Sequence, residues 1–203
     1  MAKETLVWII ILEAVILGVL RIFLHQRTLF KERTWDEVPE LLRRLDGADV
    51  SKLFDMDAES DARILRHSHR ARRALRVRLD MAREYLRRMQ HNALIIFQWA
   101  DTEWSDMVRH GLSYDEETRE KILALRRETI IFRVAVMVVL GEIWLWSLLH
   151  FDKYLLLPVP RFDSLRRAGS IDVLETYRKM KEAAAALALI YGEESFVEIG
   201  NLM

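Results

Sequence analysis

Two stretches of this chain, residues 6–24 and 134–151, are apolar over nearly their whole length, and each is interrupted near its middle by one glutamate, Glu13 and Glu142. An α-helix needs about 20 such residues to cross a ~30 Å hydrocarbon layer. A chain carrying two of them must bury both, in lipid or in protein. The first has only Lys3 before it, whereas Arg21, Arg27, Lys31 and Arg33 lie at or beyond its far end. No small-residue cleavage site follows, so an uncleaved anchor is expected. The positive-inside rule then places the N-terminus outside and residue 25 onward in the cytoplasm. Arg126, Arg127 and Arg133 precede the second stretch, and Trp144 and Trp146 lie toward its far end. That order suits a second span running antiparallel to the first, with tryptophans at the outer face. The competing reading of 134–151 is the buried core helix of a bundle.

The rest of the chain narrows the fold class. Only three prolines and seven glycines punctuate 203 residues. Ala, Leu, Arg and Glu abound, and all favour helix. With 51% apolar and 31% charged residues, the chain has the apolar surface that disordered sequences lack. The expected fold is all-α: a membrane-anchored helical bundle with a long antiparallel coiled-coil-like helical hairpin. Residues 1–25 form the N-terminal transmembrane anchor and 26–57 short helices and a connection. Residues 58–157 form the hairpin, whose second arm contains the second transmembrane segment at 134–151. Residues 158–203 form a linker and a C-terminal amphipathic helix.

Leu75, Leu79, Ala82, Leu86, Met89, Ala93, Ile96 and Ala100 recur in steps of four and three. Such a seam needs a helical partner, either the following helix or another copy of the chain. Leu75, Leu79, Leu86, Met89 and Ile96 are the candidate assembly residues. Gly111 fits the end of this helix. Ser113 with Glu116 reads as the capping box that starts the next one. Thr34 with Glu37 reads as another, opening a short helix to about Leu45. Pro158 and Pro160 mark an extended linker. Ser170 is placed as the cap of a last helix from Ile171 to Tyr191, ended by Gly192. Its stripe of Leu174, Tyr177, Ala184, Leu187 and Tyr191 should dock on the bundle or on a partner.

Net charge is zero, yet ten arginines lie between positions 63 and 88, against Asp80 and Glu84 alone. Arg70, Arg72, Arg73 and Arg76 are the candidate basic surface for anionic lipid headgroups or an acidic partner. The plainer reading is a solvated helix face with ion pairs such as Glu84 with Arg87 or Arg88. Nucleic acid is disfavoured, because only Tyr85 interleaves these arginines.

Ionisable groups within a span mark function by default. Glu13 and Glu142 therefore carry the sharpest chemical expectation, a proton or cation path in an oligomeric channel or transporter component. The alternative is one hydrogen-bonded carboxyl per helix, holding helices together. The six histidines show no His-x-x-x-His or Glu-x-x-His spacing, and there is no cysteine. No metal site and no cofactor are expected, no phosphate loop or nucleophile elbow occurs, and no enzymatic activity is expected. The primary functional expectation is a membrane-anchored structural or accessory protein. It would assemble with itself or with other subunits of a larger membrane complex through the seam and the basic surface. The preference for arginine over lysine points to a GC-rich bacterial genome, hence to a bacterial inner membrane with the central region cytoplasmic.

Overall fold

The computed structural model describes residues 32–45, 69–110, 115–151, 167–168, 170–192, 197 and 203. The chain divides into two compact units, Met1–Glu32 and Arg33–Met203, and the account below concerns the second. The expected anchor at 1–25, with Glu13, lies outside the described residues.

The described residues are mostly helical, and long helices pack against each other. A short 3-10 turn (Trp35–Glu37) leads into α1 (Val38–Leu41). Two long helices follow, α2 (His69–His110) and α3 (Glu116–Phe151). A two-stranded antiparallel ribbon pairs β1 (Arg167–Ala168) with β2 (Ile171–Asp172). The ribbon feeds α4 (Val173–Ala188), which ends in a 3-10 turn, Leu189–Tyr191. Gly192 closes that turn at a φ of 126°, a conformation that a side chain would strain.

The long antiparallel hairpin is present, and its seam is used inside the chain. Leu79, Ala82, Leu86, Met89, Ala93, Ile96 and Ala100 are all buried in one core with Ile122, Leu125, Phe132, Val136, Val139 and Ile143 of α3. Of the candidate assembly residues, Leu79, Leu86, Met89 and Ile96 therefore hold α2 to its own neighbour. Leu75 lies on α2, with its side chain outside the described part. Register is set where Arg126 meets Asp101 at 2.8 Å and Arg133 lies over Phe97. α4 adds a third helix against α3, burying Val173, Tyr177, Met180, Ala184 and Leu187. The expected C-terminal stripe thus docks on the bundle.

No helix among the described residues is long and apolar enough to cross a membrane. The expected second span at 134–151 is corrected accordingly. Its described side chains bury Ala135, Val136, Val139 and Ile143 against protein. The antiparallel register and a rise of 1.5 Å per residue set this stretch beside α2 from Phe97 back toward Asp80. There Asp80, Glu84 and Arg87 are exposed, and each charge would cost several kcal/mol in hydrocarbon. Length and hydropathy pick out a helix that must be buried, and here protein does much of the burying.

Two caps differ from the sequence reading, and Ser113, read as a third, lies outside the described residues. Asp115 stands immediately before α3 and accepts from the Thr118 backbone N–H at 3.1 Å. The hydrogen bonds from Thr118 hold the Asp115 carboxyl below its ordinary value. Asp172, rather than Ser170, caps α4, accepting from the N–H groups of Leu174 at 2.9 Å and Glu175 at 3.2 Å. Thr34 makes no side-chain cap, and Glu37 pairs instead with Arg33 at 2.9 Å.

Candidate functional site

The segment 33–45 is held across α2 by side chains rather than by secondary structure. The Arg33 backbone N–H donates to Thr102 Oγ1 at 3.0 Å. The buried Asn92 amide pairs with the backbone of Arg43. Arg43 N–H donates to Asn92 Oδ1, and Asn92 Nδ2 donates to Arg43 O, both at 2.8 Å. Asn92 Nδ2 also donates to the Tyr177 hydroxyl at 3.2 Å, so one side chain ties this segment, α2 and α4 together. Burial pushes the Tyr177 hydroxyl well above its ordinary value, partly opposed by that hydrogen bond. Trp35 stacks on Tyr191 with centroids 5.5 Å apart and packs against Trp99 at 5.0 Å. Glu103 accepts from Trp99 Nε1 at 2.9 Å and from the Tyr191 hydroxyl.

None of these contacts leaves a group aimed outward at a ligand. The outward-facing feature is the other side of α3. Leu123, Ile130, Val134, Val138 and Trp144 are between 41% and 54% exposed. Leu123, Arg127, Ile130, Val134, Met137, Gly141 and Trp144 recur in steps of four and three, a second seam on the side of α3 away from the first. Gly141 is open, with nothing within 4 Å of where a Cβ would stand. α3 is thus apolar on two sides, one covered and one not.

Arg133 flanks this second seam, immediately before Val134. It is only 7% exposed, and its Nε has no hydrogen-bond partner. Its guanidinium lies 5.6 Å from the centre of the Phe97 ring. Burial lowers its pKa to about 10, so it stays charged at neutral pH. A ring face returns at most about 2 kcal/mol to a desolvated cation. An ion held out of water costs several kcal/mol, so Phe97 offsets only part of that cost. Arg126, two turns back, is compensated differently: it pairs with Asp101 and lies over Trp104 at 5.4 Å.

Of the other candidate residues, Arg76 is exposed on α2. Arg70, Arg72 and Arg73 lie on α2 with side chains outside the described part. Arg88 pairs with Glu84 at 2.9 Å, matching the ion-pair reading of that face. Glu142 is exposed on α3, and partial desolvation raises its carboxyl above the ordinary value. With Glu13 outside the described residues, the glutamate pair is not a described feature of the fold. Among the described residues no group of three or more His, Cys, Asp or Glu could hold a metal ion.

Sequence reasoning passed over Asn92, Asp101 and the buried setting of Arg133. Each interrupts a helix stretch that is otherwise apolar on its inner side, and that interruption was the available signal. No family model, no curated protein and no solved structure matches this chain.

Proposed function

We propose that this chain is a non-enzymatic, membrane-anchored accessory protein of a bacterial inner membrane. It offers the uncovered face of α3 to a helix of another subunit, with no cofactor. The observation that carries the reading is the exposed apolar row Ile130, Val134 and Val138 on the side of α3 away from the core. Contiguous apolar exposure flanked by polar groups is the usual mark of an interaction surface. The anchor is assigned to residues 1–25 from their apolar sequence. The arginines of α2, Arg70, Arg72, Arg73 and Arg76, supply the surface toward anionic headgroups.

Fractionation tests the anchor. The full chain should stay with membranes through an alkaline carbonate wash, and a chain lacking residues 1–25 should move to the supernatant with its helical circular dichroism intact. Release of the full chain by carbonate would refute anchoring. A triple variant, Ile130→Gln, Val134→Gln and Val138→Gln, tests the face. It should keep the bundle's stability within about 1 kcal/mol, since exposed positions tolerate substitution, and should lose association with the partner subunit.

A further inference from the structure

The segment 33–45 is joined to the bundle by a different kind of contact from those that join the helices. We propose that residues 33–45 act as a detachable strap, which leaves α2 as one unit while α2, α3 and α4 stay packed. Its release does not depend on what the outer face of α3 binds.

Both ends of the strap are fixed. It runs antiparallel to α2, with the Arg33 N–H on Thr102 Oγ1 at one end and the Arg43 backbone on Asn92 at the other. Asn92 and Thr102 stand about 15 Å apart along the helix axis. The strap covers that distance with a 3-10 turn and one turn of α-helix. Val38, Leu42 and Leu45 are buried, whereas Asp36, Glu37, Glu40, Arg43 and Arg44 are exposed. Val38 and Leu42 lie between the two ends in the same core that Trp35 packs against, which couples one end to the other.

The strap's turns are closed within the strap. Glu37 N–H donates to Thr34 O and Leu42 N–H to Val38 O, each at 3.2 Å, and neither bond needs α2. Its backbone reaches the bundle through side chains, those of Thr102, Asn92 and His91. A side chain exchanges such a bond for one to water at small net cost. The helices hold together by other means. α3 packs along both α2 and α4, with Phe132 against Tyr177, and these contacts need nothing from 33–45. Undocking uncovers Val38, Leu42, Leu45, the Asn92 carboxamide and the Trp99 ring beneath Trp35. That is a small part of the buried core, so this opening lies between the fraying of an end and global unfolding.

The sequence has no cysteine, so one introduced thiol reports one site. Val38 and Val139 are both fully buried, one in the strap and one on the inner side of α3. In the full chain in detergent micelles under native conditions, Val38→Cys should react with a thiol reagent at least about 100-fold faster than Val139→Cys, as a sub-global opening requires. Leu42→Cys should match the rate of Val38→Cys, because one opening frees both. Asn92→Ala should speed both strap thiols by the same factor, about 10-fold or more, through loss of the bonds to Arg43. Ile122→Ala, within the α2–α3 seam, should speed Val139→Cys and leave the strap thiols unchanged, because its contacts persist while the strap is open.

Hydrogen exchange of the unsubstituted chain gives a second reading should a cysteine variant fail to fold. The Arg33 and Arg43 amides donate to side chains at opposite ends of the strap. They should show equal protection, well below that of Ile96. A Val38→Cys thiol as slow as Val139→Cys, or Arg33 and Arg43 amides as protected as Ile96, would show that the strap opens only with the bundle and would overturn the proposal. Unequal rates at the two strap thiols, or unequal protection at the two amides, would show fraying from one end and would overturn release as a unit.

Discussion

Asn92 bears more of this fold than any apolar residue of its size could. A carboxamide offers a donor and an acceptor side by side, so it can satisfy a backbone N–H and C=O as a neighbouring strand would. Arg43, 49 residues away in sequence, is the backbone it serves. Asn92→Ala should cost about 2 kcal/mol, the sum of two or three net hydrogen bonds, read as a lower urea midpoint with unchanged slope. Asn92→Asp should cost more, because it puts a charge in a buried site and turns an acceptor toward the Arg43 carbonyl. Tyr177 gives a pH signature. Its folded-state value is raised above the ordinary value near 10, so the folded chain holds this proton when the unfolded chain has released it. The stability it confers is complete below pH ~10. It falls as pH climbs above that, by up to about 1.4 kcal/mol per unit. Tyr177→Phe should flatten that alkaline decline in urea titrations at successive pH values, and an unchanged slope would count against it. Spacing in the sequence cannot reveal such contacts, because Arg43, Asn92 and Tyr177 come from three separate segments.

Helices were legible in this sequence wherever spacing alone decides. The seam from Leu79 to Ala100 is a repeat of one face, and one face can be read without knowing its partner. What covers it could not be read, and α3 covers it rather than a second chain. Leu86→Ala should therefore destabilise the bundle by about 2–5 kcal/mol and leave its oligomeric state unchanged in light scattering. Loss of an oligomer with stability intact would reverse the assignment. The second apolar stretch was misjudged for a related reason. Hydropathy registers the need for burial and is blind to whether lipid or protein supplies it. Caps were misplaced where two candidates lie close together, as Ser170 and Asp172 do. The structure separates them, since Asp172→Ala should cost about 1 kcal/mol. Ser170→Ala should change the same thermal unfolding curve by no more than a few tenths.

At the scale of the whole molecule, the bundle is closed by residues that are far apart in the chain. Trp35, Trp99 and Tyr191 meet in one aromatic cluster, with Glu103 accepting from two of them. The segment 33–45 contains a 3-10 turn, Trp35–Glu37, and one turn of α-helix, Val38–Leu41, and cannot hold its place by backbone hydrogen bonds alone. Its order depends on Trp35 at one end and on Asn92 and His91 at the other, the His91 ring lying 3.1 Å from the Leu41 carbonyl. The last turn of the C-terminal helical region depends on Trp35 in the same way, through the Tyr191 stack. Trp35→Ala removes a large apolar surface and two ring contacts, a change worth about 3–5 kcal/mol when the site cannot refill. Two sequence-distant segments should loosen together. Amide exchange should speed up at 41–45 and at 189–192 while the α2–α3 interface around Ile96 keeps its protection, since local openings follow cooperative units rather than sequence neighbours. Faster exchange at 41–45 alone would mean that Tyr191 is held by Glu103 without Trp35. Uniform loss of protection would mean that the cluster belongs to the central core and that 33–45 has no separate opening of its own.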